Sequence, residues 1–133
     1  MRWNVNHSRE EIGFLMEASL IYRDSGRFAE AREVLEGVRA LLPHAETASV
    51  ILGTVSLLQA DFDGAARQYK QALDLNPRSA HAFAHLGELE ILRLNKDQAA
   101  KYLKEAIRLD PRGVYGTFAR SLLEFGAAVQ NKD

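Results

Sequence analysis

An all-α fold of repeated helix pairs is predicted for this 133-residue chain from three observations. Pro43, Pro77 and Pro111 stand 34 residues apart. Small and aromatic residues recur in register with those prolines, and apolar residues return at helical spacing between them. A fixed period of a few dozen residues marks an array of like units, each burying its apolar face only against its neighbours.

Taken in order, the elements follow from local signals. Ser8 followed by Glu11 is a capping box, in which hydroxyl and carboxylate each satisfy an orphan N–H at a helix start. The first helix runs from there to about Arg23, where Asp24-Ser25-Gly26 supplies turn residues. A second helix from Phe28 to about Leu41 stops ahead of Pro43. The same events recur as helices near Ala45 to Leu58 and Phe62 to Leu73, then near Ser79 to Arg93 and Lys96 to Leu109. Asp61 and Asn95 are placed to cap the second helix of each later pair. Val114 to Gln130 keep helical periodicity through Val114, Phe118, Leu122 and Phe125, with Arg120 and Glu124 on another face. Such a helix closes an array that would otherwise expose its stacking face, while Phe118 and Phe125 are open to a second use against a partner. Residues 1–11 are too polar to pack a helix of their own, and Trp3 and Val5 are left to dock on the first unit or on another protomer.

Aligned on the prolines, the motif is specific. Residues 46–79 carry Leu52-Gly53, Phe62, Ala65, Tyr69, Ala72 and Asn76-Pro77; residues 80–113 carry Phe83, Leu86-Gly87, Ala99, Leu103, Ala106 and Asp110-Pro111. Residues 12–45 are looser, with Leu15, Ala18-Ser19, Tyr22, Gly26, Phe28, Ala31, Leu35, Val38 and Leu42-Pro43. Gly53, Gly87, Ala31, Ala65 and Ala99 stand where two helices must approach closely. On these residues the chain resembles the tetratricopeptide repeat family over residues 12–113. The resemblance implies a right-handed superhelix of three helix pairs plus a C-terminal capping helix. Two positions depart from the pattern: Ala18-Ser19 replaces the usual Leu-Gly pair, and Lys96 stands where the other units have Phe28 and Phe62.

Composition limits the function. The length fits one domain, and seventeen basic against eighteen acidic side chains leave no overall field to gather nucleic acid or hold an anionic membrane. The chain has no cysteine, and no apolar run approaches a membrane span. Its start lacks the apolar stretch that export requires, which places the protein in the cytoplasm. Neither a Walker-type loop nor Gly-x-Ser-x-Gly occurs, and no nucleophile, base and orienting group assemble, so no enzyme is expected. His81, His85 and Glu88 share one helix face at i, i+4 and i+7. Zinc would need further ligands that His7 and His44 are not spaced to give; otherwise His81 and Glu88 line a surface and His85 packs at a helix seam, with no metal or cofactor. Lys101, Lys104 and Arg108, extended by Arg112, form a basic stripe interrupted by Glu105 and lacking aromatic rings, as a solvated face does.

In arrays of this family the first helix of each unit faces the concave side, and the resemblance implies that a partner's peptide binds there. In family register the inward positions are Gly13, Met16, Leu20 and Arg23; Thr47, Val50, Thr54, Leu57 and Leu58; and His81, Ala84, Glu88, Ile91 and Leu92. The family's carboxylate clamp uses lysine, arginine and asparagine where Met16, Leu20, Val50, Thr54, Ala84 and Glu88 stand here, so the expected ligand is an apolar segment of a partner protein. Leu58 and Leu92 belong either to this groove or to the packing between units. Three units, a short N-terminal extension, a closing helix and an apolar groove also look like the tetratricopeptide chaperones of bacterial type III secretion. That resemblance implies shielding of an aggregation-prone secreted subunit and a homodimer through the N-terminal region; the rival reading is a scaffold that uses its outer face and ends.

Overall fold

The computed structural model describes residues 9–130, with side chains through Gly126. Ser8 of the capping box, Trp3 and Val5 lie outside the described residues. Seven helices follow one another: α1 Arg9–Asp24, α2 Phe28–Leu41, α3 Thr47–Leu58, α4 Phe62–Leu75, α5 Ala80–Leu92, α6 Lys96–Leu109 and α7 Val114–Gln130. No strand occurs among the described residues. The largest departures from the sequence-based bounds are two residues each, at the late start of α3 and the late end of α4.

Capping differs between units. The Asp61 carboxylate accepts the Gly64 N–H at 2.9 Å and Ser79 Oγ accepts the Ala82 N–H at 3.1 Å, so α4 and α5 start on side-chain caps. Asn95 was expected to do the same for α6 and does not. Its Nδ2 donates instead to Glu90 Oε2 at 2.7 Å, because Glu90 is buried at the end of α5 and needs donors. The three α1–α2, α3–α4 and α5–α6 turns each pass through the left-handed region, at Gly26 (φ 75°), Ala60 (φ 59°) and Leu94 (φ 64°).

Short turns fold each helix back on its predecessor, giving the pairs α1–α2, α3–α4 and α5–α6. Gly53 and Gly87 are required by that packing: a Cβ on Gly53 would collide with the Tyr69 ring, and one on Gly87 with Leu103. The departure at Ser19 is resolved differently, since this buried residue donates its hydroxyl to Met16 O at 2.6 Å. Three apolar clusters fill the array, one around Leu35 and Leu52, one around Tyr69 and Leu86, and one around Leu103 and Ala119.

The backbones of α1, α3, α5 and α7 approach one another in succession, whereas those of α2, α4 and α6 stay further apart, α2 reaching α4 through the long side chain of Arg39, which donates to Gln68 Oε1 at 3.1 Å and Gln71 Oε1 at 3.3 Å. The array therefore curves, with the first helix of every pair on the inner side. Helix α7 occupies the register of a further first helix. The face of α5 that receives α6 carries Phe83, Leu86 and Gly87; the matching positions of α7 are Thr117, Arg120 and Ser121, all exposed. That polar face closes the stack. Phe118 turns inward onto the third cluster and Phe125 stays exposed.

Candidate functional site: the inner wall

The inner wall is less apolar than the residue types suggested. Arg23 Nη1 donates to Thr54 Oγ1 at 3.0 Å, bridging α1 and α3. On α5, His85 Nδ1 lies 3.1 Å from Glu88 Oε1. His81 stacks on Tyr115 of α7 at 4.3 Å between ring centroids, and His85 sits between Tyr69 (5.9 Å) and Phe118 (5.3 Å). The expected trough from Met16 to Leu92 is thus interrupted by Arg23, Thr54, His81 and Glu88. Among the described residues no group of three His, Asp or Glu side chains is arranged to hold a metal ion.

Three predicted wall residues lie beneath the surface: Val50, Thr54 and Ala84. Val50 and Ala84 are 0% exposed: Val50 packs with Tyr69 in the second cluster and Ala84 with Leu103 in the third, so both serve the joint between first and second helices. Met16 and Leu20 are half-buried against the first cluster, Leu57 against the second and Ile91 against the third; Thr47 is half-buried at the start of α3. Met16 and Thr47 also border an apolar recess of about 150 Å³, completed by Ile12, Val38, Leu42, Ala45 and Ala48. Leu58 and Leu92 are 58% and 51% exposed at equivalent ends of α3 and α5, so neither is buried between units. Tyr115 and Phe118 were missed because the register was stopped at residue 113; continued into α7, it places them at the positions of His81 and Ala84.

Burial governs the protonation of this wall. His81 is held down to about 3 by loss of solvent, helped by its neighbours His85 and Arg23, and stays neutral. Burial, then the Glu88 charge, pushes the Tyr69 phenol up against the opposing influence of Arg23. The Tyr69 hydroxyl is buried with no hydrogen-bond partner within the described protein. Burial, with the Asp110 and Glu46 carboxylates, also raises Tyr115.

No helix among the described residues is long and apolar enough to cross a membrane. Residues 58–114 match the family model for the tetratricopeptide repeat. No curated protein matches the chain by sequence. Among solved structures, the chain is similar to the first tetratricopeptide domain of Spaghetti bound to the HSP90 peptide SRMEEVD, with 16% identity over 94% of this chain and 97% of that one and a TM-score of 0.72. It is similar to the Yersinia enterocolitica type III secretion translocator chaperone SycD in an alternative dimer, with 17% identity, 95% and 98% coverage and a TM-score of 0.75. It is also similar to SycD in complex with a peptide of the translocator YopD, with 18% identity, 95% and 98% coverage and a TM-score of 0.72. Residues 58–114 thus carry the tetratricopeptide repeat, and the helical array as a whole has the tetratricopeptide fold.

Proposed function

We propose that the inner wall binds a segment of a partner protein that brings apolar side chains with it. The observation that carries this is the apolar recess between α1, α2 and the start of α3 that Met16 and Thr47 border, together with the exposed Leu58 and Leu92 at the ends of α3 and α5. Burying apolar area there yields about 25 cal/mol per Å² before the costs of ordering the segment. Leu20, Leu57 and Ile91 add half-buried apolar surface, while Arg23, His81 and Glu88 supply polar points for the segment's backbone. The wall's charged groups are one of each sign, and Arg23 is already engaged with Asp24 and Thr54. That balance favours an apolar segment over an acidic tail such as SRMEEVD.

The likeness to SycD, in an alternative dimer and with a YopD peptide, supports a narrower reading, that of a dimeric cytoplasmic chaperone for a secreted subunit. The scaffold reading would leave the wall unused. Selection of a random peptide library on the full chain tests the proposal. Apolar-rich peptides should be enriched, and selection should be lost in a Leu58→Glu/Leu92→Glu variant whose thermal stability is unchanged. Enrichment without apolar preference, or insensitivity to both substitutions, would remove the wall from consideration.

A further inference from the structure

The α5–α6 corner departs from both of its counterparts at two matched positions, 94 and 96. Leu94 is 81% exposed at φ 64°, a backbone region costly for any residue with a Cβ; its equivalents are Gly26 and Ala60. Nothing within the fold uses its side chain. Two residues on, Lys96 is exposed where Phe28 and Phe62 turn onto the core. On the outer face of α6, Lys101 and Lys104 stand where α4 has Arg67 and Lys70 and α2 has Glu33 and Glu36, so that face is basic on the last two pairs and acidic on the first. Lys96, Lys101 and Lys104 form no ion pair among the described residues, whereas Glu36 is held by Arg39 and Glu105 by Arg108. Leu94, Lys96 and Lys101 border one open hollow of about 520 Å³, which Asp97 shares.

We infer that this corner is a second interaction surface, separate from the inner wall, that takes an acidic segment of a partner protein carrying an apolar side chain. Leu94 supplies the apolar contact, and Lys96, Lys101 and Lys104 meet the carboxylates. Ala60 shares the left-handed backbone with only a methyl group, whereas Leu94 sets a full isobutyl side chain in solvent there, as happens when a site has a use outside the fold. Unpaired cations beside it set the sign of the partner. A nucleic acid fits less well, because no aromatic ring borders the hollow for base stacking and Asp97 opposes a continuous phosphate backbone.

The test uses the full chain and a labelled twelve-residue peptide of Asp and Glu with one central leucine, followed by fluorescence anisotropy. Leu94→Gly is expected to raise Tm by about 2–4 °C through release of the left-handed strain. The same change should weaken peptide binding about tenfold, a combination that a purely structural leucine would not give. Lys101→Glu/Lys104→Glu should abolish binding, added salt should weaken it, and replacing the peptide's leucine by serine should mimic Leu94→Gly. The Leu58→Glu/Leu92→Glu variant should bind this peptide as the parent does. The inference is overturned if the peptide does not bind at millimolar concentration, if Leu94→Gly or the lysine reversals leave affinity unchanged, or if the inner-wall variant loses it. Tighter binding of a single-stranded oligonucleotide of equal charge would also overturn it.

Discussion

Arg23 on α1 reaches Thr54 on α3, with Nη1 donating to Oγ1 over 3.0 Å, and the Thr54 hydroxyl in turn donates a hydrogen bond to Ile51 O at 2.7 Å. This bridge joins the first two units across the inner wall and makes its middle polar. A double-mutant cycle with Arg23→Met and Thr54→Val should give a coupling of about 1 kcal/mol in urea unfolding. A coupling near zero would mean that solvent already satisfies both groups.

Close helix contact sets the tolerance at glycine. Gly53→Ala would drive a methyl into the Tyr69 ring and Gly87→Ala into Leu103, and each is expected to cost about 1–3 kcal/mol through overpacking. Gly37 in α2 faces open space where a Cβ would sit, with no atom within 4 Å, so Gly37→Ala should gain about 0.5–1 kcal/mol from lower backbone entropy in the unfolded chain. Denaturant midpoints for the three variants check the contrast; equal shifts would contradict it.

Val50 and Leu58 are both apolar and both at inward register positions, yet only one is accessible. Val50→Asp places a charge in the second cluster beside Tyr69 and should unfold the chain or nearly so, since an unpaired buried charge costs several kcal/mol. Leu58→Asp should shift stability by less than about 0.5 kcal/mol, as surface changes do. Circular dichroism melts would separate them.

Turn conformation gives a second pair. Gly26→Ala introduces a Cβ at φ 75° and should cost about 1 kcal/mol, while Ala60→Gly at φ 59° should raise the melting point. An unchanged melting point for both would show that these turns relax.

His81 predicts a pH dependence. Its folded pKa of about 3 lies below the ordinary value of 6.5, so between those limits the folded chain binds fewer protons than the unfolded one. The stability that neutral His81 contributes is full above about pH 6.5 and is lost as pH falls toward 3. His81→Phe, which keeps a ring on Tyr115, should flatten the fall in urea midpoint between neutral and acidic pH. An identical fall in both proteins would assign the acid sensitivity elsewhere.

The helical array was legible because its signals are local and periodic. Phe28–Leu41, Lys96–Leu109 and Val114–Gln130 emerge with the bounds that turn residues and spacing imply. Gly53 and Gly87 could be assigned to close contacts because only small residues recur there. Asn95 was misread since a side-chain amide serves whichever acceptor is buried nearest, and Glu90 is not in its local pattern. The inner wall was legible only as a set of helix faces: Met16, Thr47, Leu57 and Ile91 are half-buried there, while Val50 and Ala84 are not accessible.

The sequence by itself determined the helix-pair repeat, its period and the small residues at its joints, because those rest on spacing along one chain. Tertiary structure alone decided how far each inward residue is buried, that Arg23 meets Thr54 and His81 meets Tyr115, and that Leu94 points into solvent. Accessibility and cross-unit contacts depend on the angle at which neighbouring pairs stack, and that angle is set by the sum of packing along the array, which no single stretch of residues encodes.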